Sequence, residues 1–273
     1  MLISGKTALY GIIGNPVTHS LSPSMHNAAL AASNIDAVYL PFSVPDIESA
    51  VIGIRGLGIQ GTSVTIPYKE SVMSLLDEIY PVAKQIGAVN TIVHKDGKLI
   101  GYNTDWRGAM RALEEKIDLS GAKVVLLGAG GAARAIGFGL VEKGVQFVLC
   151  SRTESRGRSL AGELGCPWVS LAEGGGLSGN VLINATSVGM QPDFEKTPVP
   201  GLGLSHFQVV MDIVYAPLQT RLLQEAESAG CDIINGLEML LYQGVAQFEL
   251  WTGKSAPVLV MRKALWETLG IRK

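Results

Sequence analysis

The first group in this chain placed to move a proton is a lysine, set close behind a β-branched run and a proline in 62-TSVTIPYKES-71. The alternation in GTSVTI predicts a strand, and Pro67 opens a predicted helix over residues 69–76. Lys69 then falls in the first helical turn, where the dipole disfavours a positive charge; that setting suits a general acid or base, and a solvated lysine fits the spacing as well. In 14-GNPVTHSLSPSMHN-27, Ser20 and Ser22 stand just before Pro23, itself suited to a helix start. Ser22 is explained as an N-cap, yet two hydroxyls beside free helix N–H groups also make a site for a small carboxylate. AVNTIVHKDGKLIGYN reads as a hairpin turning at Lys95-Asp96-Gly97-Lys98, with Asn90 at the start of its first strand and Asp105 just past the end of its second. Antiparallel pairing brings that amide and that carboxylate to one end of the ribbon, with helix capping by Thr104 or Asp105 as the plainer reading.

A second chemistry lies in Gly128-Ala129-Gly130-Gly131-Ala132-Ala133, which follows the strand-like KVVLL and opens a helical stretch. It has the form G-x-G-x-x-A. Gly128 permits a tight turn, Gly130 lets backbone N–H groups approach a pyrophosphate, and Ala133 allows close packing of helix on strand. A ligand-free turn of small residues is the alternative, and the ordered strand, loop, helix and next strand VQFVLC favour the cofactor. At the next strand tip, 150-CSRTESR-156, a dinucleotide site for NAD would carry an acid for the ribose 2′-hydroxyl. Ser151, Arg152 and Thr153 stand there, with Arg156 behind. Guanidinium forks match a 2′-phosphate, which favours NADP although Glu154 shares the loop.

Such residues need strands that end at a common edge. The first hundred residues alternate: ALYGIIG, AVYLPFSV and GTSVTI as strands, residues 23–33 and 47–55 as helices, and then the hairpin as a two-strand edge. A helix over 106–116 leads to the glycine loop, and VQFVLCSR, VLINATSV and VVMDIVY read as buried strands. Residues 236–251 and 258–269 read as closing helices. The fold class is therefore α/β, with βαβ units and mainly parallel sheets.

The 273 residues suffice for two domains with separate cores. With 17% charged residues and a net charge of −2, no basic surface for nucleic acid is expected. No stretch is apolar for long enough to cross a bilayer, and the N-terminus has no secretory leader, so no membrane partner and a cytoplasmic location are expected. Cys150, Cys166 and Cys231 are scattered and odd in number, as in a reducing compartment; the four histidines form no metal-ligand spacing.

Taken in order and spacing, GNPVTHSLSPSMHN, SVTIPYK, GAVNT, GYNTD, GAGGAARA, SRTESR, NATSVGM, MDIVYAPLQT and NGLEMLLYQG resemble the signatures of the shikimate dehydrogenase family over essentially the whole chain. The resemblance implies reversible, NADP-dependent reduction of 3-dehydroshikimate to shikimate. Residues 1–105 with 240–273 would form the substrate domain and 106–239 the Rossmann-type NADP domain, the C-terminal helices returning to the first; substrate and cofactor would meet in a closing cleft. The resemblance makes Lys69 and Asp105 the catalytic pair and gives Ser20, Ser22 and Tyr215 to the substrate carboxylate. Thr65, Asn90, Asp105 and Gln243 would hold ring hydroxyls. Gly128, Ala129, Gly130, Gly131 and Ala132, with Ser151, Arg152, Thr153 and Arg156, match the cofactor loops, while Ile213, Gly236 and Met239 match the nicotinamide end. Ser63 and Ser151 each replace an asparagine common in the family motifs, and Pro81 stands where some members carry an acid. A relative with relaxed use of quinate or NAD, and a non-catalytic nucleotide-binding regulator, are the competing readings; a homodimer is left open.

Overall fold

The computed structural model describes residues 3–271, and the chain divides into two compact units, Met1–Thr104 with Gln243–Lys273, and Asp105–Tyr242.

In the first unit, β1 (Ala8–Gly14), α1 (Ser22–Ala32), β2 (Ala37–Ser43), α2 (Ile47–Gly56) and β3 (Gly61–Val64) alternate as the apolar periodicity requires. Strand β1 is central and parallel to both β2 and β3. A short β4 (Glu78–Ile79) and α3 (Pro81–Ile86) precede the hairpin β5 (Thr91–Lys95) and β6 (Lys98–Tyr102). Its turn has Asp96 at φ +51° and Gly97 at φ +75°, two left-handed residues in a row, which is what a two-residue hairpin of this twist needs. The sheet order is β2-β1-β3-β5-β6-β4.

Two expectations fail here. The hairpin is not an edge: β5 pairs antiparallel with β3, and β4 covers the far side of β6. Nor does a helix run over 69–76. The Lys69 carbonyl accepts the Val89 N–H at 2.7 Å instead of serving a helix ladder, and Met73 N–H reaches back only three residues, to Glu70. What forms is a five-residue 3-10 turn, Ser71–Leu75. Lys69 therefore sits in an irregular loop, and the helix-dipole argument for it falls away.

The core of this unit lies beneath α2, where Ile13, Val51, Ile54, Val72, Ile92 and Leu99 pack together. Burying each such side chain contributes about 1.5–3 kcal/mol. The long helix α8 (Gly236–Thr252) enters this unit at Gln243, and α9 (Val258–Thr268) packs on α1. Close approach fixes two glycines: a Cβ on Gly61 would lie 2.4 Å from the Trp251 ring, and one on Gly244 would lie 2.1 Å from Met25.

The second unit begins with α4 (Asp105–Glu114) and continues through β7 (Lys123–Leu127), α5 (Gly131–Glu142), β8 (Gln146–Ser151), α6 (Glu154–Leu164) and β9 (Trp168–Ser170). After β10 (Val181–Asn184) and β11 (Val209–Asp212), α7 (Arg221–Ser228) leads to β12 (Asp232–Ile234). Every strand pair is parallel, in the order β12-β11-β10-β7-β8-β9. Counted from β7, that is the 3-2-1-4-5-6 order of dinucleotide-binding folds, with the reversal between β7 and β10. The near-continuous apolar runs of β7 and β10 follow from burial on both faces.

Candidate active site

The glycine turn lies at the C-terminal end of β7, beside that reversal point. Gly128 has φ +119°, and a Cβ there would stand 2.9 Å from the Ala185 carbonyl oxygen, so only glycine fits. Gly130 caps α5 without any side-chain bond, and a Cβ on it would meet nothing within 4 Å. No side chain caps the start of α5 and there is room beside Gly130, as a pyrophosphate cradle requires. Gly131 and Ala132 are half-buried beside it, and Ala133 is fully buried against the sheet.

At the tip of β8, Arg152, Thr153 and Arg156 are exposed. Glu154, the acid that could have spoken for NAD, is paired with Arg158 one helical turn on, at 2.8 Å. Ser151 is buried; its hydroxyl donates to the Thr153 carbonyl and accepts the Trp168 indole N–H at 3.0 Å, which shapes the turn from within. The donor set at the tip fits a 2′-phosphate: two guanidinium groups, and a carboxylate already neutralised.

A third cluster in this unit was not legible in the sequence. Asp212, fully buried at the end of β11, accepts hydrogen bonds from Asn184 Nδ2 (2.9 Å), the Val214 N–H (3.0 Å) and the Thr220 hydroxyl (2.7 Å). Burial pushes its pKa up to about 6, against the lowering effect of these bonds. The cluster locks the turns after β10 and β11, on which Ile213 and Tyr215 stand. Gly236 packs beneath, where a Cβ would lie 2.3 Å from the Ile213 carbonyl oxygen, and Met239 is buried one turn along α8.

In the first unit, polar groups gather at the C-terminal edge of β1 and β3, where β5 starts. The Val64 N–H donates to the Asn90 carbonyl, and the Lys69 carbonyl accepts from Val89, so Thr65, half-buried Lys69 and buried Asn90 share this edge. Gln243 Oε1 accepts from Asn90 Nδ2 at 3.4 Å. The expected cap at Ser22 is absent. Leu21 holds the cap position and Ser22 is the first helical residue, its N–H donating to Ser20 Oγ at 3.3 Å. The two serines are thereby joined at the start of α1. Thr104, bonded to Asn90, is followed directly by Asp105, which is buried as the first residue of α4.

A six-stranded parallel sheet with this strand order and glycine turn, joined in one chain to a second α/β unit with a polar strand edge, defines a nucleotide-dependent α/β dehydrogenase. Sequence profiles described as the shikimate dehydrogenase substrate binding domain and the shikimate 5′-dehydrogenase C-terminal domain match residues 12–92 and 236–265. The shikimate dehydrogenase (NADP(+)) of Pyrococcus abyssi is 49% identical over 96% of this chain and 98% of its own. The chain belongs to the shikimate dehydrogenase family. Two solved relatives share the whole fold. A shikimate dehydrogenase in complex with NADP+ superposes with a TM-score of 0.91 at 41% identity, covering 100% of this chain and 98% of that one. The Thermus thermophilus enzyme in complex with NADP(H) and shikimate gives 0.87 at 36%, covering 95% and 99%.

Proposed function

We infer that the chain is an NADP-dependent shikimate dehydrogenase, catalysing reversible reduction of 3-dehydroshikimate to shikimate in aromatic amino acid biosynthesis. The observation that carries this is the 49% identity to a shikimate dehydrogenase (NADP(+)) along almost the full length. It is supported by the open N-terminus of α5 and the two guanidinium groups at the β8 tip.

In this reading the first unit, with the C-terminal helices, is the substrate domain and the second is the NADP domain. Ser20, Ser22 and Tyr215 hold the substrate carboxylate, and Thr65, Asn90, Asp105 and Gln243 its ring hydroxyls. The backbone of Gly128–Ala132 receives the pyrophosphate, with Ser151, Arg152, Thr153 and Arg156 at the 2′-phosphate end. Ile213, Gly236 and Met239 face the nicotinamide. Bound NADPH supplies a hydride from nicotinamide C4. As the C3 carbonyl is reduced, negative charge grows on its oxygen, and the Lys69 ammonium neutralises it by giving up a proton; in the oxidative direction the neutral amine takes that proton back. Asp105 is the carboxylate partner in this catalytic pair.

A cytoplasmic location fits the three free thiols, and among the described residues no helix is long and apolar enough to cross a membrane. Absorbance at 340 nm with shikimate or quinate, each with NADP+ or NAD+, tests the reading. Turnover is expected to be fastest with shikimate and NADP+. Quinate turned over as well as shikimate would identify the relaxed relative, and no turnover in any combination would leave the regulator.

A further inference from the structure

A buried chain of hydrogen bonds runs through the first unit from Tyr39 to Gln243, and its direction can be deduced. The Tyr39 hydroxyl and Ser63 Oγ are 2.6 Å apart, and Ser63 Oγ lies 2.8 Å from Gln247 Oε1. Gln247 Nε2 contacts the Asn90 carbonyl at 3.1 Å and Thr91 Oγ1 at 2.9 Å. Thr91 Oγ1 is 2.7 Å from Asn90 Oδ1, which also takes the Thr104 N–H at 2.8 Å.

Two backbone groups decide every orientation. A backbone N–H can only donate, so the Asn90 atom facing Thr104 is its oxygen; a backbone carbonyl can only accept, so the Gln247 atom facing it is its nitrogen. The other amide atoms follow. Gln247 presents Oε1 to Ser63, whose hydroxyl must donate; Ser63 then accepts from Tyr39. Gln247 donates to Thr91, and Thr91 donates to Asn90 Oδ1. The Asn90 NH2 is left to donate, to Thr104 Oγ1 at 2.9 Å and to Gln243 Oε1. All seven side chains are buried, so a reversed link would strand two like groups against each other.

We propose that Tyr39, Ser63 and Gln247 are positioning residues for the substrate. Their one-way chain, relayed by Thr91, adds a second donor to the Thr104 N–H in holding the Asn90 oxygen, so the Asn90 NH2 is held as the donor; a ligand oxygen would take over its longer bond, the one to Gln243 Oε1 at 3.4 Å. The ligand this favours carries a hydroxyl or carbonyl oxygen able to accept at that point. Ser63 thus acquires a definite part, one a residue of its short reach can play between Tyr39 and Gln247. The proposal rests on the reading of Asn90 as a substrate contact.

The test compares initial rates for Tyr39→Phe, Ser63→Ala, Gln247→Glu and Asn90→Ala with shikimate and NADP+, with the Asn90 side-chain NH2 signals followed by NMR. Ser63→Ala is expected to raise KM for shikimate about three- to tenfold, the loss of about one hydrogen bond. The expected fall in kcat is smaller, and KM for NADP+ should hold. Tyr39→Phe, which leaves the Ser63 donor in place, should have the smaller effect. Gln247→Glu is nearly isosteric and reads polarity directly. Ionised, its carboxylate draws the Thr91 proton away from Asn90; protonated, it can donate again. Its KM for shikimate should therefore climb with pH relative to the wild type, with displaced Asn90 NH2 signals at the high-pH end. If Asn90→Ala raises KM while the other three leave KM and the NMR signals unchanged, the positioning role is wrong and the substrate reading of Asn90 stands. If Asn90→Ala itself leaves KM unchanged, the reading beneath the proposal fails and the proposal with it.

Discussion

At the scale of single residues, two groups carry the chemistry and the cofactor choice. Lys69 is half-buried in an irregular loop that is tied to Val89, next to Asn90, by its own carbonyl. A proton donor needed only as charge builds on the substrate oxygen should affect the rate more than binding. Lys69→Ala is expected to lower kcat by about 10²–10⁴-fold with little change in KM, read from steady-state rates. A fall confined to KM would make Lys69 a binding residue. Arg152 is exposed at the β8 tip, and the neighbouring Glu154 is already neutralised by Arg158. Arg152→Ala should therefore weaken NADP+ by about tenfold while leaving NAD+ nearly unchanged, as for loss of a charge-assisted contact to phosphate. Equal effects on both cofactors would remove the 2′-phosphate assignment.

At the scale of elements, the turns after strands decide the site. The left-handed backbone and close carbonyl at Gly128 make Gly128→Ala costly, by about 1–3 kcal/mol. The expected signature is a lower melting temperature with weaker NADP+ binding in calorimetry and an unchanged KM for shikimate. Asp212 gives a pH test. Its folded pKa, about 6, lies above the ordinary carboxylate value of 3.8, so between those values the folded chain holds the proton more tightly than the unfolded one. Stability from this group is greatest below pH 4 and is lost as pH rises through 6, a change of about 3 kcal/mol. Asp212→Asn should flatten the pH dependence of the melting temperature over that range; an unaltered slope would show that burial does not govern this carboxyl.

The sequence disclosed these elements unevenly, for physical reasons. The glycine turn and the Asp96-Gly97 hairpin were legible because their backbone angles demand particular residue types. Strands β4, β9 and β12 are two or three residues long, too short for any periodicity, and they hold their places only by pairing with a neighbour. The predicted helix at Lys69 failed because a distant N–H, that of Val89, claims the carbonyl a helix would need. The Asp212 cluster and the Tyr39–Ser63–Gln247 chain join residues up to 184 positions apart, which no local pattern reveals. One partial signal existed: Gln247 stands one helical turn beyond Gln243 and so shares its face of α8.

At the scale of the whole molecule, the chain unites two α/β units, each with its own six-stranded sheet and buried core. The glycine turn belongs to one, the Asn90 edge to the other, and the ordered motifs along the chain announced both. In a shikimate dehydrogenase a hydride carried by NADPH reaches C3 of 3-dehydroshikimate. The most direct measurement supplies NADPH deuterated at both C4 positions together with 3-dehydroshikimate, and examines the product by NMR and mass spectrometry. The expected product is shikimate carrying one deuterium at C3, formed in equal amount to the NADPH consumed. Product without deuterium at C3, or no consumption of NADPH, would contradict the assignment.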